Sequence, residues 1–313
     1  MAIIAVAGGT GGVGRTIVEA LIARKNQEVV ILSRRNHESR NRLRFLRIDY
    51  EDINSMAKIL EEANIHTVIC AFGMSSETTS ASQLQLIQAA EKSAATRRFV
   101  VSGFDLAYTE EHVPLIAPAK WALDADRAVE RTTLEHTRVV NGLFLDYYGI
   151  PYWKSYLHPW VNAVNVKDKW AAIPGDGSAK VSFITTQDMA RFVARLMDLD
   201  SWSPVSCIIG NTATFEDILN LAEQARGEHF SVAYDSIEDL RNGKISFPEF
   251  QETGLEGTGM STQSILARFH YISGTGGYLV KTDDPLDAKF SDIKITTPSE
   301  LIESSWNPSY RLK

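Results

Sequence analysis

Apolar residues in the first half of the chain alternate between short β-rich runs and longer segments that repeat with the period of a helix. The apolar runs predict six strands, at residues 3–7, 29–32, 45–48, 67–71, 99–102 and 137–140. In the segment after the first run, Val13, Ile17 and Leu21 share one helical face. Strands that alternate with amphipathic helices pair in parallel, so the pattern predicts an α/β fold with a doubly wound parallel sheet and helices on both faces.

The pattern changes after the sixth predicted strand. Aromatic residues crowd positions 144–160, a helical period returns at about 185–199, and a glycine-rich stretch at 252–261 predicts a mobile loop. We therefore expect a doubly wound domain at residues 1–150 and a smaller C-terminal lobe at residues 151–313, with the helix near 185–199 packing back on the first domain.

The first strand leads into a glycine-rich turn, "VAGGTGGVGR", at the start of the first predicted helix. Glycine allows a tight turn and a close approach of the backbone to a ligand, and the free N–H groups of a helix N-terminus attract a pyrophosphate. At the first βα junction this spacing predicts dinucleotide binding. The loop residues predicted to take part are Gly8, Thr10, Gly11, Gly12, Val13, Gly14 and Arg15. A purely structural turn is the alternative.

The end of the second predicted strand carries basic residues where NAD would require an acid. A carboxylate about 20 residues after the glycines holds the ribose 2′-hydroxyl of NAD, whereas "LSRRN" places Ser33, Arg34 and Arg35 there. A guanidinium group pairs well with a 2′-phosphate, so the segment predicts NADPH as the cofactor. The alternative is a solvated basic face, which would also include Arg40, Arg42, Arg44 and Arg47.

Composition and charge argue against several other classes. The net charge is −7 and the isoelectric point is near 5.6, so we expect no binding to nucleic acid or to an anionic membrane. No apolar stretch approaches the roughly 20 residues that span a bilayer. Cys70 and Cys207 lie far apart in apolar runs, which indicates two buried thiols in a reducing compartment and a cytoplasmic location. The histidines show no zinc-ligand spacing, so we expect no metal.

Several segments together resemble one known family. They are "VAGGTGGVGR", "LSRR", "FVVSGFD", "TRVVNGLFLDYYG" and "IPGDGSAKVSFITTQDMARFVARLMDL". On these segments, which run over about two thirds of its length, the chain resembles the NmrA-like and isoflavone-reductase-like group of atypical short-chain dehydrogenase/reductases. The resemblance implies a Rossmann-type sheet with strand order 3-2-1-4-5-6, NADPH binding by residues 1–150 and substrate binding by residues 151–313.

The resemblance also implies cofactor contacts at the ends of the later strands. Asp49 and Tyr50 would lie beside the adenine, while Phe72 and Gly73 would line the dinucleotide. The residues implied near the nicotinamide are Ser102, Gly103, Phe104, Asn141 and Gly142. Strand ends also need turn and packing residues, so a structural role is the alternative for each position.

The catalytic residue is an open question in the sequence. Ordinary short-chain dehydrogenases use a Tyr-x-x-x-Lys pair, but Ile116 stands at the tyrosine position. The resemblance implies a lone lysine instead, and Lys120 is the lysine of that segment. An alignment without gaps puts the family's lysine on Ala122, about 200° further round a helix. Lys120 is therefore either the catalytic and ribose-binding residue or a surface lysine.

Several aromatic residues could form the substrate pocket. The substrate residues that we predict are Phe104, Phe144, Tyr147, Tyr148 and His158, and the last three are also reserve proton donors. The crowded aromatics at 144–160 would equally suit a core or the interface of a homodimer.

The leading functional hypothesis is an NADPH-dependent oxidoreductase. It would reduce an apolar, aromatic or polycyclic small molecule of the secondary-metabolite type by hydride transfer. Two alternatives stay open: a regulatory protein that binds NADP(H) as a redox signal without turnover, and a redox-neutral isomerase or cyclase on the same fold.

Overall fold

The structure, a computed structural model, describes residues 2–37 and 43–311. Arg40 and Arg42 of the predicted basic face lie outside the described residues. The chain forms two compact units, and each unit is assembled from three separate segments. The first comprises Met1–Phe104, Pro118–Val140 and Ala190–Ser206, and the second comprises Asp105–Ala117, Asn141–Met189 and Cys207–Lys313.

Strands and helices alternate along the described chain. The strands are β1 (Ile3–Ala7), β2 (Glu28–Ser33), β3 (Arg44–Arg47), β4 (Ile65–Cys70), β5 (Arg98–Asp105), β6 (Glu135–Val140), β7 (Leu143–Phe144), β8 (Val164–Asn165), β9 (Trp170–Pro174), β10 (Lys180–Ile184), β11 (Val205–Cys207), β12 (Asn211–Thr214) and β13 (Ser231–Asp235). The helices are α1 (Gly12–Arg24), α2 (Ile53–Glu62), α3 (Glu77–Lys92), α4 (Ala117–Glu130), α5 (Thr186–Leu196), α6 (Phe215–Arg226), α7 (Ile237–Arg241), α8 (Thr262–Gly274), α9 (Leu286–Lys289), α10 (Pro298–Trp306) and α11 (Pro308–Arg311).

The first unit is built on a sheet with the strand order β11-β6-β5-β4-β1-β2-β3. β1 pairs in parallel with β2 and β4, β2 pairs in parallel with β3, and β4 pairs in parallel with β5. The predicted order 3-2-1-4-5-6 is confirmed, and β11 adds a strand beyond β6. In doubly wound sheets ligands bind outside the carboxyl ends of the strands where the order reverses, which here is between β1 and β4.

The apolar runs form strands because helices cover both faces of the sheet. Val30, Val68 and Phe99, from three different strands, are fully buried in one core cluster. Parallel strands covered on both faces bury continuous apolar runs rather than alternate residues. This is why the six predicted strands are all present, although their ends differ from the prediction by a few residues.

The second unit contains two small sheets that the sequence pattern did not predict. In one, β10 pairs antiparallel with β12 and parallel with β7; in the other, β9 pairs parallel with β13 and antiparallel with β8. A core cluster including Leu240, Phe247 and Leu266 lies in this unit. A short 3-10 helix, Glu256–Thr258, lies within the segment for which we predicted a mobile loop.

A buried carboxylate ties the start of α5 to the segment at 145–148. Asp146 accepts hydrogen bonds from the Thr186 N–H, the Thr186 hydroxyl and the Ser155 hydroxyl, each at 2.7 Å. Burial raises the pKa of Asp146, while these hydrogen bonds lower it. The carboxylate satisfies a free N–H at the helix start and thereby fixes the backbone next to Tyr147 and Tyr148.

The two cysteines differ in their surroundings. Cys70 is completely buried at the end of β4, and this burial raises the pKa of its thiol to about 12. Cys207 is only half-buried, so the prediction of two buried thiols is right for Cys70 alone. Among the described residues, no helix combines the length and the apolar character that crossing a membrane requires.

A buried histidine in α8 makes the stability of the second unit depend on pH. Desolvation lowers the pKa of His270 to about 3, and its Nδ1 has no hydrogen-bond partner among the described residues. An unfolded histidine has a pKa of about 6.5, so below that pH the unfolded chain takes up a proton that the folded chain refuses. We expect His270 to reduce the free energy of unfolding by about 2 kcal/mol between pH 7 and pH 5.

This prediction is tested by urea denaturation of the wild type and His270→Leu at both pH values. From pH 7 to pH 5 the free energy of unfolding should fall by about 2 kcal/mol more in the wild type than in the variant, because leucine does not titrate. His158→Asn is the matched control, since His158 is exposed. Equal losses in the wild type and His270→Leu would contradict the prediction.

Candidate functional site

The turn between β1 and α1 depends on glycine at two positions. Gly8 has a φ of +77°, and a Cβ there would lie 2.5 Å from the carbonyl oxygen of Ala71. A Cβ at Gly14 would lie 2.7 Å from the Gly8 carbonyl carbon and would overlap its oxygen. The Gly11 N–H donates to that same oxygen at 2.9 Å, which closes the turn. Side chains at these positions would force the turn open.

The N-terminus of α1 presents backbone N–H groups that its capping residue leaves without a side-chain acceptor. The capping residue, Gly11, has no side chain to accept from them, and the first turn of α1 contains no acidic residue. These amides and the positive end of the helix dipole therefore favour an anion. Arg15 is exposed on the same helix, where it pairs with Glu19 at 3.7 Å.

A cavity of about 310 Å³ lies beside this turn. Its lining comes from the glycine turn, the ends of β2, β3 and β4, and the start of α3. The lining residues are Gly8, Thr10, Leu32, Ser33, Arg34, Arg35, His37, Tyr50, Phe72, Thr78, Thr79 and Ser82. The volume is in the range of small-molecule sites, roughly 300–1,000 Å³.

One edge of the cavity is basic and another is aromatic. Arg34 and Arg35 are exposed at the basic edge, where the Arg35 N–H donates to the Ser33 hydroxyl at 3.1 Å. Tyr50 and Phe72 contact each other edge to face, with ring centroids 5.1 Å apart. Burial raises the pKa of Tyr50 above its usual value, so its hydroxyl stays neutral. The arrangement suits a ligand with a flat ring and a phosphate.

The structure brings together part of the predicted cofactor set. The predicted residues that line the cavity are Gly8, Thr10, Ser33, Arg34, Arg35, Tyr50 and Phe72. Gly11, Gly12, Val13, Gly14 and Arg15 lie in the adjoining turn and helix. The Asp49 carboxylate accepts the Glu51 N–H at 3.0 Å within a turn, and open space surrounds Gly73.

Sequence reasoning missed Leu32, His37, Thr78, Thr79 and Ser82. Three of these belong to α3, whose start is capped by Ser76 through a hydrogen bond from the Thr79 N–H at 3.2 Å. α3 follows β4, and β4 lies next to β1, so its first turn reaches the glycine turn. The polar segment "SSETTS" directly after the fourth predicted strand was the available signal, because it has the composition of a helix start.

The end of β5 is fixed to α3 and to the end of β4. The Ser102 N–H donates to Gln83 Oε1 at 2.7 Å, and the Ser102 hydroxyl donates to the carbonyl oxygen of Phe72 at 2.8 Å. Ser102 and Gln83 are both buried. Ser102 thus positions the backbone of a cavity-lining residue, and its predicted contact with a nicotinamide stays a prediction.

A buried arginine joins α4 to β5 and β6. Arg138 donates to the carboxylate of Asp126 and to the Ala122 carbonyl at 2.7 Å, and it lies 3.4 Å from the Ser102 carbonyl. A Cβ at Gly103 would lie only 3.0 Å from its guanidinium, so glycine leaves room for this side chain. Gly103, predicted to contact the cofactor, therefore has a packing role in the structure.

Removing this arginine is expected to destabilise the first unit. Arg138→Met leaves Asp126 and two carbonyl oxygens without their partner, and we expect a loss of about 2–3 kcal/mol in the free energy of unfolding. Arg127→Met is the matched control on α4, because Arg127 is half exposed and pairs with Asp124 at 3.4 Å. The free energy of unfolding of Arg127→Met should fall by no more than about 0.5 kcal/mol. Urea denaturation measures both, and similar losses would contradict the structural role.

Lys120 lies on the exposed side of α4. Its side chain is 63% exposed, and its ammonium group pairs with Asp124 one turn along the helix. Ala122, where an alignment without gaps puts the family's lysine, is buried at 4% exposure. The two positions face different directions, as their separation along the helix requires.

Two predicted cofactor residues lie at the start of the second unit's central segment. Asn141 is completely buried, and its Oδ1 has no hydrogen-bond partner among the described residues. Gly142 has a φ of +71°, and a Cβ there would lie 2.8 Å from Ser182 Cβ. Asn141 therefore holds an open acceptor, and Gly142 is required by the backbone.

The predicted substrate residues have different surroundings. Tyr148 is 1% exposed and donates to the Asn162 carbonyl at 3.0 Å, which is the environment of a core residue. Phe144 is also buried, and Phe104 is buried with a φ of +49°. His158 is exposed, and Tyr147 is intermediate in exposure. In the described part of the chain, no three His, Cys, Asp or Glu residues are grouped so that they could hold a metal ion.

Comparisons with known proteins bear on the fold and on the family of the chain. The chain is 36% identical over 228 residues to Oxidoreductase BOA1 of Botryotinia fuckeliana, an alignment that covers 72% of this chain and 76% of that protein. The structure of leucoanthocyanidin reductase from Vitis vinifera in a binary complex with NADPH has a TM-score of 0.73 at 18% identity, and covers 99% of this chain and 100% of that chain. The crystal structure of isoflavone reductase has a TM-score of 0.73 at 20% identity, and covers 96% and 98% respectively.

The structural likenesses show a shared fold, and the sequence match shows the family. Residues 2–262 match the NmrA-like family. This match covers more than half of the chain and includes the glycine turn, the basic end of β2 and α4. The resemblance seen in the sequence is confirmed: the chain belongs to the NmrA-like family.

Proposed function

We propose that the protein is an NADPH-dependent reductase of an apolar, aromatic or polycyclic small molecule. The observation that carries the proposal is the cavity beside the glycine turn. Ser33, Arg34 and Arg35 line it at the end of β2, and none of the described residues that line it is acidic. This edge favours a 2′-phosphate, because the phosphate charge would meet two guanidinium groups there. NAD would require a carboxylate in the same place.

The residues present fit the dinucleotide. Gly8 and Gly14 leave space that a Cβ would fill, and the uncapped amides of α1 would hold the diphosphate. Ser33, Arg34 and Arg35 would hold the 2′-phosphate, with the adenine near Tyr50 and Phe72. Bound NADPH supplies a hydride for a C=C, C=N or C=O carbon.

The comparisons support the same assignment. A relative at 36% identity is named an oxidoreductase, and leucoanthocyanidin reductase, which shares the fold, was solved with NADPH. The protein's own contribution to such a reaction is to bind and orient the nucleotide and to deliver a proton to the reduced product.

A redox sensor without turnover is the second candidate. Two observations favour it: Ile116 stands where other short-chain dehydrogenases have a tyrosine, and Lys120 is exposed and paired with Asp124. The deciding experiment mixes purified protein and NADPH with a panel of aromatic enones, imines and ketones and follows NADPH absorbance. Stoichiometric NADPH consumption supports the reductase. Tight binding of both NADPH and NADP⁺ with no consumption would favour the sensor.

Lys120 is the proton donor that the family resemblance implies, although its side chain is exposed, and its replacement tests this role. Loss of a general acid lowers turnover by about 10²–10⁴-fold, so we expect Lys120→Ala to lose at least about 100-fold in kcat with little change in NADPH affinity. Lys58→Ala is the matched control, because Lys58 is also an exposed lysine paired with an acid one turn away, Glu62 at 3.7 Å. Equal kcat values in the two variants would remove Lys120 from the chemistry.

A further inference from the structure

We propose that Ser82 on α3 makes the cavity specific for adenine, because its hydroxyl accepts a hydrogen bond from the 6-amino group of the base. The inference deepens the proposed function and rests on it. Ser82 lines the cavity together with Thr78, Thr79 and the aromatic pair Tyr50 and Phe72. A purine with an oxo group at position 6 would then bind more weakly.

The described lining residues differ in the part of a nucleotide that they suit. The glycine turn and the basic end of β2 attract the anionic groups, whereas α3 contributes the neutral hydroxyls of Thr78, Thr79 and Ser82. A flat, neutral ring with polar atoms at its edge suits hydroxyl groups beside aromatic side chains. We therefore place the base on the α3 side of the cavity.

The acid that could otherwise bind the amino group has a different contact. The family resemblance puts Asp49 beside the adenine, but Asp49 is exposed and is not among the described residues that line the cavity. Its carboxylate accepts the Glu51 N–H at 3.0 Å, within a turn after β3. The acceptor for the amino group then comes from a residue that does line the cavity.

Hydrogen bonds fix the start of α3. The Thr79 N–H donates to the Ser76 hydroxyl oxygen at 3.2 Å, and Thr79 Oγ1 lies 2.9 Å from the same oxygen. Gln83, one turn further along the helix, is completely buried, and its Oε1 accepts the Ser102 N–H at 2.7 Å. The neighbouring residue, Ser82, is thereby held at a defined place beside the cavity.

The proton of the Ser82 hydroxyl already has an acceptor. Ser82 Oγ donates to the carbonyl oxygen of Thr78, one helical turn earlier, at 2.9 Å. A serine hydroxyl has one proton to donate and two lone pairs to accept with. While this bond is kept, Ser82 can only accept from a ligand, so it favours a ligand group that carries a hydrogen.

Adenine and the 6-oxo purines present opposite groups to such an acceptor. The 6-amino group of adenine donates, whereas the 6-oxo group of guanine or hypoxanthine accepts. The amino group matches the lone pairs of Ser82. An oxo group would leave two acceptors facing each other, or would draw the Ser82 proton away from the Thr78 carbonyl, and either change weakens binding.

The test is calorimetric titration with NADPH and with reduced nicotinamide hypoxanthine dinucleotide phosphate, which has the same phosphates and the same nicotinamide. The preference is the dissociation constant of the hypoxanthine nucleotide divided by that of NADPH. We expect a preference of about tenfold in the wild type and of less than about threefold in Ser82→Ala, which lacks the acceptor. Ser82→Thr keeps a hydroxyl at this position and should keep the preference.

Thr78→Val is the matched control on the same helix. Hypoxanthine carries a hydrogen on N1 where adenine has a lone pair, and a threonine hydroxyl can donate to the one or accept from the other. Thr78→Val also keeps the carbonyl that accepts from Ser82. It should therefore leave the preference unchanged. A preference that disappears in Thr78→Val and persists in Ser82→Ala would overturn the role of Ser82.

The outcomes separate this inference from the proposed function. If neither nucleotide binds to the wild type, the proposed function fails and the inference fails with it. If both nucleotides bind to the wild type with equal affinity, or if Ser82→Ala keeps the full preference, the proposed function stands and the role of Ser82 is overturned.

Discussion

Gly14→Ala is expected to abolish binding of NADPH. A Cβ at this position would lie 2.7 Å from the Gly8 carbonyl carbon and 3.1 Å from the Gly9 Cα, and both atoms are backbone that no rotamer change can move. The turn must open, which costs about 1–3 kcal/mol or more and separates the α1 amides from the Gly8 side of the cavity. We expect a loss of at least about 100-fold in NADPH affinity by calorimetry, together with a lower melting temperature.

Gly257→Ala is the matched control for this change. Apart from its two chain neighbours, no described atom lies within 4 Å of the position of its Cβ, so neither NADPH affinity nor melting temperature should change. If Gly14→Ala bound NADPH as tightly as the wild type, the glycine turn would not be the diphosphate site, and the proposed function would lose its main support.

Arg34→Ala is expected to weaken NADPH binding about 10- to 100-fold while changing NADH affinity by less than about threefold. A hydrogen bond to a charged group contributes about 1.5–3 kcal/mol, and NADH lacks the 2′-phosphate that Arg34 would contact. Arg34 lines the cavity and lies close enough to Tyr50 to affect its pKa. Fluorescence titration with both nucleotides measures the two affinities.

Arg44→Ala controls for the loss of positive charge from the same region. Arg44 lies at the start of β3 and pairs with Glu28 at 3.3 Å, away from the cavity-lining residues. Arg44→Ala should leave the affinities for NADPH and NADH unchanged. Equal losses of NADPH and NADH affinity in Arg34→Ala would show that the 2′-phosphate is bound elsewhere.

The sheet and the glycine turn could be predicted because their signals are local. The six strands are continuous apolar runs, and the turn is a spacing of glycines at one βα junction. Parallel pairing follows from the alternation of strand and helix, and the strand order was implied by the family resemblance. The basic end of β2 was equally readable, because "LSRR" occupies the place where an acid would be required.

The remaining site residues depend on contacts between distant segments. Thr78, Thr79 and Ser82 reach the cavity because β4 lies beside β1, a neighbourhood that the family resemblance implied but that the apolar pattern alone does not show. Arg138 looks like a break in an apolar strand, yet its partners on α4 and β5 make it buried. The aromatic cluster at 144–160 shows the same limit: periodicity does not distinguish a core residue such as Tyr148 from a pocket wall.

The first unit is proposed to bind a nicotinamide dinucleotide that carries a 2′-phosphate. The most direct measurement is calorimetric titration of the wild-type protein with NADPH and with NADH under one set of conditions. We predict saturable binding of NADPH, with a dissociation constant at least about tenfold lower than that of NADH. Absence of binding heat and of any shift in melting temperature with either nucleotide, or a preference for NADH, would contradict the account.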